Sequence, residues 1–283
     1  MLNDPPPEKR PRRQHPLEQR PAPPSDGQQG GGSQRVMLHI PVARPRLTYA
    51  LIALNSAIFV IAFYLMDDMQ RLDFYNWGAS NPFFVLEQGE FHRLFTAMFL
   101  HGDITHILFN MLSLYYIGAN VERFFGSARF AIIYVLGGLG GSVLSVLLNS
   151  DDVFSVGASG AVFALVGAEL VFLYQHRKLL GQMARQQFRN LLFIAGMNLL
   201  IGFVGNAATA GVRIDNWGHL GGLAGGLALA WFISPLFIPM RHPDRPDALT
   251  IEDINPLEKH TQTLLLYVSA LFALLIIGTL LAG

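Results

Sequence analysis

The sequence predicts an all-α polytopic membrane protein with seven membrane-spanning helices. Of its 283 residues, 51% are hydrophobic and only 14% are charged, whereas soluble domains average about 25% charged residues. The apolar residues are gathered in runs close to the roughly 20 that a helix needs to cross a hydrocarbon core of ~30 Å. The basic residues lie beside these runs, mainly in alternate connections, which is the asymmetry that orients membrane proteins.

The composition also excludes several kinds of site. The chain has no cysteine, so a disulfide framework, a thiolate zinc site and a cysteine nucleophile are excluded. The formal net charge is zero, and the basic residues do not line one face of a soluble domain, so nucleic acid is not an expected partner. We expect no metal or cofactor.

Residues 1–45 are predicted to be a disordered, basic cytoplasmic tail. The segment is rich in Pro, Gln, Gly and Arg and lacks Phe, Trp and Tyr, so it has too little apolar surface to offset its chain entropy. Its positive charge favours the cytoplasmic side. No apolar stretch follows the first basic residues closely enough for a cleavable signal peptide.

The first span is predicted at 49–66, and a mixed loop at 67–93 follows it. Several aromatic residues in this loop suit the level of the lipid headgroups. The remaining spans are predicted at 103–121, 129–148, 157–175, 190–206, 217–239 and 263–282.

The positive-inside rule gives these spans an orientation. With the N-terminus in the cytoplasm, the cytoplasmic loops are 122–128, 176–189 and 240–262, and the last two of these are basic. The outward connections, 149–156 and 207–216, contain one basic residue, Arg213. The C-terminus would then lie on the outer side, with a bacterial inner membrane as the expected location. The fourth and sixth spans both begin at the outer face, so they hold their first residues at a similar depth.

Two polar residues stand at those two helix starts. Ser159 lies between Gly157 and Gly160, and His219 begins the sixth span, where an ionisable residue is rare and usually functional. Alone, Ser159 could be a helix-start residue. The soluble G-x-S-x-G elbow is excluded, because Ala161 occupies the last glycine position and a membrane-length helix follows.

Small residues favour contact between the fourth and sixth spans. Gly160 shares a helical face with other small residues, and His219, Gly222 and Gly226 share a face of the sixth span. Helices in lipid approach closely through such faces, so Ser159 and His219 are predicted to meet. The alternative is a simple packing stripe, which explains the glycines and leaves the histidine unexplained.

The second span adds a pair of possible oxyanion donors. His106 and Asn110 are four residues apart, so their side chains lie on one helical face, near the predicted depth of Ser159. Hydrogen-bond donors facing a nucleophilic serine are what an oxyanion hole requires. Helix capping or mutual bonding is the alternative for each of the two alone.

Taken together, these motifs resemble the rhomboid intramembrane serine proteases over about residues 50–240. The resemblance implies a six-helix bundle plus one additional C-terminal helix. It implies that Ser159 is the nucleophile and His219 the general base, and that Asn110, His106 and the Ser159 backbone N–H hold the oxyanion. The positions that it implies as supporting are Gly157, Gly160, Phe163, Gly222, Gly226, His101, Gly118, Glu122 and Gly126.

The sequence departs from the family pattern at two places. His92 precedes Arg93 where many relatives have tryptophan. Phe163 stands where some have a tyrosine that stacks on the catalytic histidine, so stacking is retained and a hydroxyl is lost. The predicted divisions are the tail at 1–45, the catalytic core at 46–240, a cytoplasmic linker at 241–262 and the additional helix at 263–283.

The expected function is that of an intramembrane serine endopeptidase with a Ser-His dyad. Asp215 falls in the outer loop, so no third catalytic member is predicted. Substrates would be transmembrane segments of single-span membrane proteins, cut near the outer face of the lipid bilayer. The alternatives are an inactive relative that binds membrane clients and a polytopic transporter. Glu169 is the one acid expected deep in the third to fifth spans, and the sequence identifies no partner for it.

Overall fold

The computed structural model describes residues 42–208, 214–242 and 245–282. The predicted tail, apart from 42–45, and Arg213 lie outside the described residues. Short turns of π or 3₁₀ type cover Ile61–Leu65, Phe83–Glu87, Ala97–Phe99, Leu114–Gly118 and Leu257–His260. The longer elements are α1 (Arg46–Val60), α2 (Asp68–Gly78), α3 (Arg93–Thr96), α4 (Ile104–Ser113), α5 (Ala119–Leu148), α6 (Ser159–Gln175), α7 (Arg177–Ala208), α8 (Asn216–Ile233), β1 (Phe237–His242), β2 (Arg245–Asp253) and α9 (Thr261–Ala282).

Every predicted span lies on a helix. The helical run Ile104–Leu148, of 45 residues, contains the two spans predicted at 103–121 and 129–148. The spans predicted at 157–175 and 217–239 lie on α6, of 17 residues, and α8, of 18 residues. The protein is therefore a polytopic integral membrane protein of the all-α class, as predicted. In the described part of the chain, the helical runs long and apolar enough to cross a membrane are Arg46–Leu65, Ile104–Leu148, Arg177–Asn206 and Leu257–Ala282.

The segment 67–93, predicted as a mixed loop, is largely helical. α2 begins with a capping box in which the Asp67 side chain accepts from the Gln70 backbone N–H at 2.9 Å and the Gln70 side chain accepts from the Asp67 N–H at 3.1 Å. This reciprocal pair satisfies two N–H groups that a helix start leaves unpaired. The loop was predicted from the mixed composition of this segment, and the capping box that marks the start of a helix was overlooked.

Two predicted loops, 122–128 and 176–189, are also helical over most of their length. In each, one glycine provides the change of direction: Gly126 has φ 79° and Gly181 has φ 59°. Residues other than glycine adopt such positive φ values rarely. A single glycine between two helical runs therefore replaces the longer loop that the hydropathy pattern suggested.

The sixth span ends earlier than predicted, at Ile233 and not at 239. Ser234 precedes Pro235 and has ψ 137°, the extended conformation that a following proline favours. An antiparallel pair, β1 and β2, follows within and beside the predicted linker 241–262. Arg129 of α5 binds the hairpin through Asp253 Oδ2 at 2.8 Å, so the linker is a folded element attached to the helices.

Glycines set the separation of α5, α6 and α8 at the centre of the fold. A Cβ on Gly141 of α5 would lie 2.6 Å from the carbonyl oxygen of Gly218 in α8. A Cβ on Gly167 of α6 would lie 2.7 Å from the Leu223 carbonyl oxygen, also in α8. Any larger side chain at these positions would displace backbone. Close approach through small residues is how helices associate without a hydrophobic driving force between them.

Glu122 joins the start of α1 to the kinked region of α5. Its buried carboxylate accepts from the backbone N–H groups of Leu47 at 3.0 Å and Thr48 at 2.7 Å, from the Thr48 hydroxyl at 2.7 Å and from the Ser127 hydroxyl at 2.6 Å. First-turn N–H groups have no acceptor within their own helix, and a negative charge there also interacts favourably with the helix dipole. These contacts give Glu122 a structural role.

We expect Glu122→Ala to lower the thermal stability of the protein in detergent. The substitution leaves four donors without their acceptor, and each buried unsatisfied donor costs about 1–3 kcal/mol, so a loss of roughly 3 kcal/mol or more is expected. Glu122→Gln should be intermediate, because its amide oxygen still accepts. Glu87→Ala, at an exposed position, is the matched control. An unchanged melting temperature for Glu122→Ala would contradict the capping role.

Glu169 has partners that the sequence did not identify. Its Oε1 accepts from the Gln187 side-chain amide at 2.5 Å and from the Asn120 amide at 3.4 Å. Gln187 lies in a stretch predicted as a loop, which is why this contact could not be anticipated. The carboxyl group links α6 to α5 and α7.

Candidate active site

The segment before α6 holds Ser159 in place through backbone hydrogen bonds. Ser80 and Ser155 form an antiparallel bridge, with N–H to carbonyl distances of 3.0 and 2.7 Å. The Gly157 N–H donates to the Ala97 carbonyl at 2.8 Å. Ser159 is the first residue of α6, where backbone N–H groups have no intrahelical acceptor and the helix dipole is positive.

Gly157 is required at its position for two separate reasons. Its φ of 127° lies in a region that side chains disfavour. A Cβ built there would also lie 2.6 Å from Nε2 of His106 and 3.7 Å from Ser159 Oγ. The glycine therefore leaves open the space between the His106 imidazole and the Ser159 hydroxyl.

The structure brings Ser159 and His219 into hydrogen-bond contact. His219 lies in the first turn of α8, and its Nε2 is 2.9 Å from Ser159 Oγ. Phe163, one turn after Ser159, stacks on the imidazole with ring centroids 4.4 Å apart and planes within 10°. Only 8% of His219 is exposed. The stack and the burial restrict the ring to an orientation that faces the serine.

The contact between the two helices at this level depends on Gly160 and Gly222. A Cβ on Gly222 would overlap the backbone carbonyl of Gly160, with the carbonyl carbon at 2.8 Å. One turn further, a Cβ on Gly226 would overlap the Ala164 carbonyl. These glycines let α8 lie directly against α6, which explains how two short polar side chains on separate helices meet.

In the described part of the chain, the second ring nitrogen of His219 faces no carboxylate. Its Nδ1 is buried and has no hydrogen-bond partner among the described residues. Asp215 accepts from the His219 backbone N–H through its own carbonyl at 3.1 Å, but its carboxylate binds other groups. Among the described residues, the third, carboxylate-bearing member of the triad of soluble serine proteases has no counterpart at this nitrogen.

His106 and Asn110 both lie on α4 in different hydrogen-bond states, and His106 is the one that faces Gly157 beside Ser159. His106 Nδ1 accepts from the Gly102 N–H at a long distance of 3.5 Å, which leaves the proton of the neutral ring on Nε2, toward Gly157. The Asn110 side-chain amide donates to the His106 carbonyl at 3.0 Å. Asn110 is buried, and in the described part of the chain its amide bonds its own helix and not Ser159 or His219.

His101 supports His106 from outside the helices. The two rings are 5.2 Å apart in an edge-to-face arrangement, and the Tyr75 hydroxyl donates to the His101 carbonyl at 2.5 Å. Burial lowers the pKa of His101 to about 3, so the ring is neutral at physiological pH. His101 therefore contributes packing and not charge.

Four polar side chains near the site were not predicted from the sequence. Asp215 caps α8, and its carboxylate binds Ser145 and Asn149 of α5 and Ser155 before α6. The signals were present: an aspartate three residues before Gly218 is typical of a helix N-cap. Ser145 and Asn149, four residues apart, share one face of the third span.

Comparisons with known proteins agree on one family. A family model described as the rhomboid domain matches residues 88–236. The chain is 36% identical over 187 residues to "Rhomboid protease GluP" of Bacillus subtilis, covering 66% of this chain and 34% of that protein. It is 38% identical over 154 residues to "RHOMBOID-like protein 1" of Arabidopsis thaliana, covering 54% of this chain and 37% of that protein. "RHOMBOID-like protein 2" of the same plant is 40% identical over 149 residues, 53% of this chain and 44% of the relative. The chain thus spans less than half the length of each of these relatives.

Proposed function

Because this chain belongs to the rhomboid family, we propose that it is an intramembrane serine endopeptidase. In this proposal Ser159 is the nucleophile and His219 the general base. One relative is named as a rhomboid protease, which supports peptide-bond cleavage as the activity. The proposed catalytic core is 46–240, with the tail at 1–45, the linker at 241–262 and the helix at 263–283 as separate parts.

The observation that carries the proposal is the 2.9 Å separation of Ser159 Oγ and His219 Nε2. A serine hydroxyl is a weak nucleophile until an adjacent base takes its proton. A general base must lie within about 2.6–3.2 Å of that proton's oxygen, and this pair meets the requirement. The proton taken by His219 would then pass to the leaving amine, and a water would release the acyl group.

The negative charge that forms on the tetrahedral intermediate requires hydrogen-bond donors on the side of Ser159 away from His219. The Ser159 N–H at the start of α6 and the His106 Nε2–H beside Gly157 are candidates from their positions. Asn110 is the third, after rotation of its amide. Donors fixed before the reaction stabilise such an oxyanion strongly, because they need no reorganisation when the charge forms.

We expect Asn110→Ala to reduce kcat by about 10²-fold, the low end of the range for losing one oxyanion donor. The low end is expected because the amide must first leave the His106 carbonyl. Asn198→Ala is the matched control, since Asn198 donates to the Ile194 carbonyl four residues earlier in the same way. Cleavage rates at saturating substrate measure both. Equal, small effects of the two substitutions would mean that Asn110 only bonds its own helix.

The location of the site suggests the substrate class. We propose that substrates are transmembrane segments of single-span membrane proteins, cut near the outer face, with the N-terminus of this chain in the cytoplasm. The basic residues of 176–189 support this orientation. A helical peptide bond is shielded by its own hydrogen bonds, so residues that weaken helices, such as Gly and Pro, should favour cleavage.

The experiment is cleavage of a labelled type-I single-span protein by the purified protein in liposomes. Mass spectrometry of the products locates the cut, and Ser159→Ala in parallel identifies contaminating proteases. Cleavage within the outer half of the span by the wild type alone is expected. Binding of the substrate without products would favour the inactive, client-binding alternative, and cleavage by Ser159→Ala would reject the nucleophile.

A further inference from the structure

The Asp215 carboxylate connects three segments that surround the candidate site. Its Oδ1 accepts from the Gly218 N–H at 2.8 Å and from the Asn149 amide at 3.0 Å. Its Oδ2 accepts from the Ser145 hydroxyl at 2.6 Å and from the Ser155 hydroxyl. A carboxylate offers about four acceptor positions, so these four donors use its full capacity.

Each of the three segments bears on the geometry of Ser159 and His219. Gly218 belongs to the first turn of α8, which carries His219 on the next residue. Ser155 lies in the segment that leads into Ser159 and pairs with Ser80. Ser145 lies in the last turn of α5 and Asn149 directly follows that helix, which packs against both α6 and α8. The carboxylate thus ties the start of the histidine helix to the entry of the serine helix.

This linkage distinguishes Asp215 from the other helix-capping aspartates. Asp67 and Asp103 bind groups within three residues of themselves. The side-chain partners of Asp215 are 60 to 70 residues away in the sequence. A local cap stabilises one helix end, whereas these bonds fix where that end lies relative to two other segments.

The glycine contacts alone do not determine that position. The contacts of Gly222 with Gly160 and of Gly218 with Gly141 set how closely α8 approaches α6 and α5, but such steric contacts limit only how near the backbones come. Asp215 lies one turn before His219, and its carboxylate adds directional hydrogen bonds to Ser145, Asn149 and Ser155 at this level. These bonds specify the position of the first turn beyond what packing alone specifies.

We infer that Asp215 is a positioning residue for the Ser159–His219 pair. Its carboxylate does not touch the imidazole ring or the serine hydroxyl, and it acts by holding the first turn of α8 against α5 and the Ser155 segment. The inference rests on the proposed function, because it concerns the rate at which Ser159 is acylated. Asparagine at this position keeps one acceptor oxygen for two of the four donors, but its NH2 group would face the other two donors, so it cannot reproduce the set.

The test compares Asp215→Asn, Ser155→Ala and the double substitution with the wild type. Three quantities are measured, namely kcat and KM for a single-span substrate and the rate at which a small serine-reactive fluorophosphonate labels Ser159. Asp215→Asn should reduce kcat and the labelling rate about tenfold, since small misplacements of catalytic groups are costly, with KM changed much less. Ser155→Ala should give a smaller loss in the same direction, and the double substitution should lose less than the product of the two.

The controls separate positioning from stability and from the proposed function itself. Asp67→Ala removes a capping aspartate from α2 and should leave both rates unchanged, while a melting temperature in detergent is recorded for every variant. Normal kcat and labelling in a folded Asp215→Asn protein would overturn the positioning role while the protease assignment stands. A wild-type protein that neither cuts nor labels at Ser159 would overturn both. Strictly multiplicative effects of Asp215→Asn and Ser155→Ala on kcat would also overturn the positioning role.

Discussion

We expect Ser159→Ala to abolish cleavage of a transmembrane substrate, and His219→Ala to do the same. The hydroxyl and the imidazole act as one unit across a 2.9 Å contact, so removing either leaves no activated nucleophile. In serine proteases whose catalytic residues act as a unit, replacing one of these residues lowers kcat by about 10⁴–10⁶-fold. The double variant should be no slower than either single one, because the second substitution removes nothing that still functions.

A buried histidine just after α6 provides the control for lost packing. His176 follows the last residue of this helix, at the end opposite Ser159, and it stacks on Phe172 with ring centroids 4.2 Å apart. His176→Ala should lower the melting temperature and still cleave substrate at a rate near that of the wild type. Near-normal cleavage by His219→Ala, or a double variant far slower than both single ones, would show that the pair is wrongly assigned.

The helical architecture was predictable because membrane spans are defined by local composition. Apolar runs of sufficient length predicted seven segments that all lie on helices, and the basic loops predict an orientation without any tertiary information. Loop structure was less accessible. At Gly126 and Gly181 one residue of positive φ makes the turn, and hydropathy cannot distinguish such a kink from a loop of several residues.

Candidate site residues could be predicted from the sequence where they share one face of a helix. The spacing of small and polar residues on two spans, with an assumed common depth, was enough to predict Ser159, His219, Gly222 and Gly226. The hydrogen bonds of Asp215 could not be predicted in that way, because its partners lie on three segments that only the packed structure brings together. The same holds for Gln187 as the partner of Glu169.

We expect Gly222→Val to lose at least about 10³-fold in cleavage rate, although every proposed catalytic group remains. The added Cβ would overlap the Gly160 carbonyl oxygen and lie 2.8 Å from its carbon. These atoms are backbone and cannot move aside as a flexible side chain does. α8 must therefore shift by more than 1 Å, and misplacement of about 1 Å already costs roughly 10²-fold in rate.

The measurement is cleavage of a transmembrane substrate together with thermal unfolding in detergent. Gly222→Ala should show a smaller loss than Gly222→Val, because both share the Cβ overlap but the valine methyl groups widen it. Gly196→Val is the matched control, since a Cβ at this helical glycine of α7 meets nothing within 4 Å; it should cleave normally. Full activity of Gly222→Val would mean that α8 approaches α6 for some other reason, and the contact between Ser159 and His219 would then require a different explanation than helix separation.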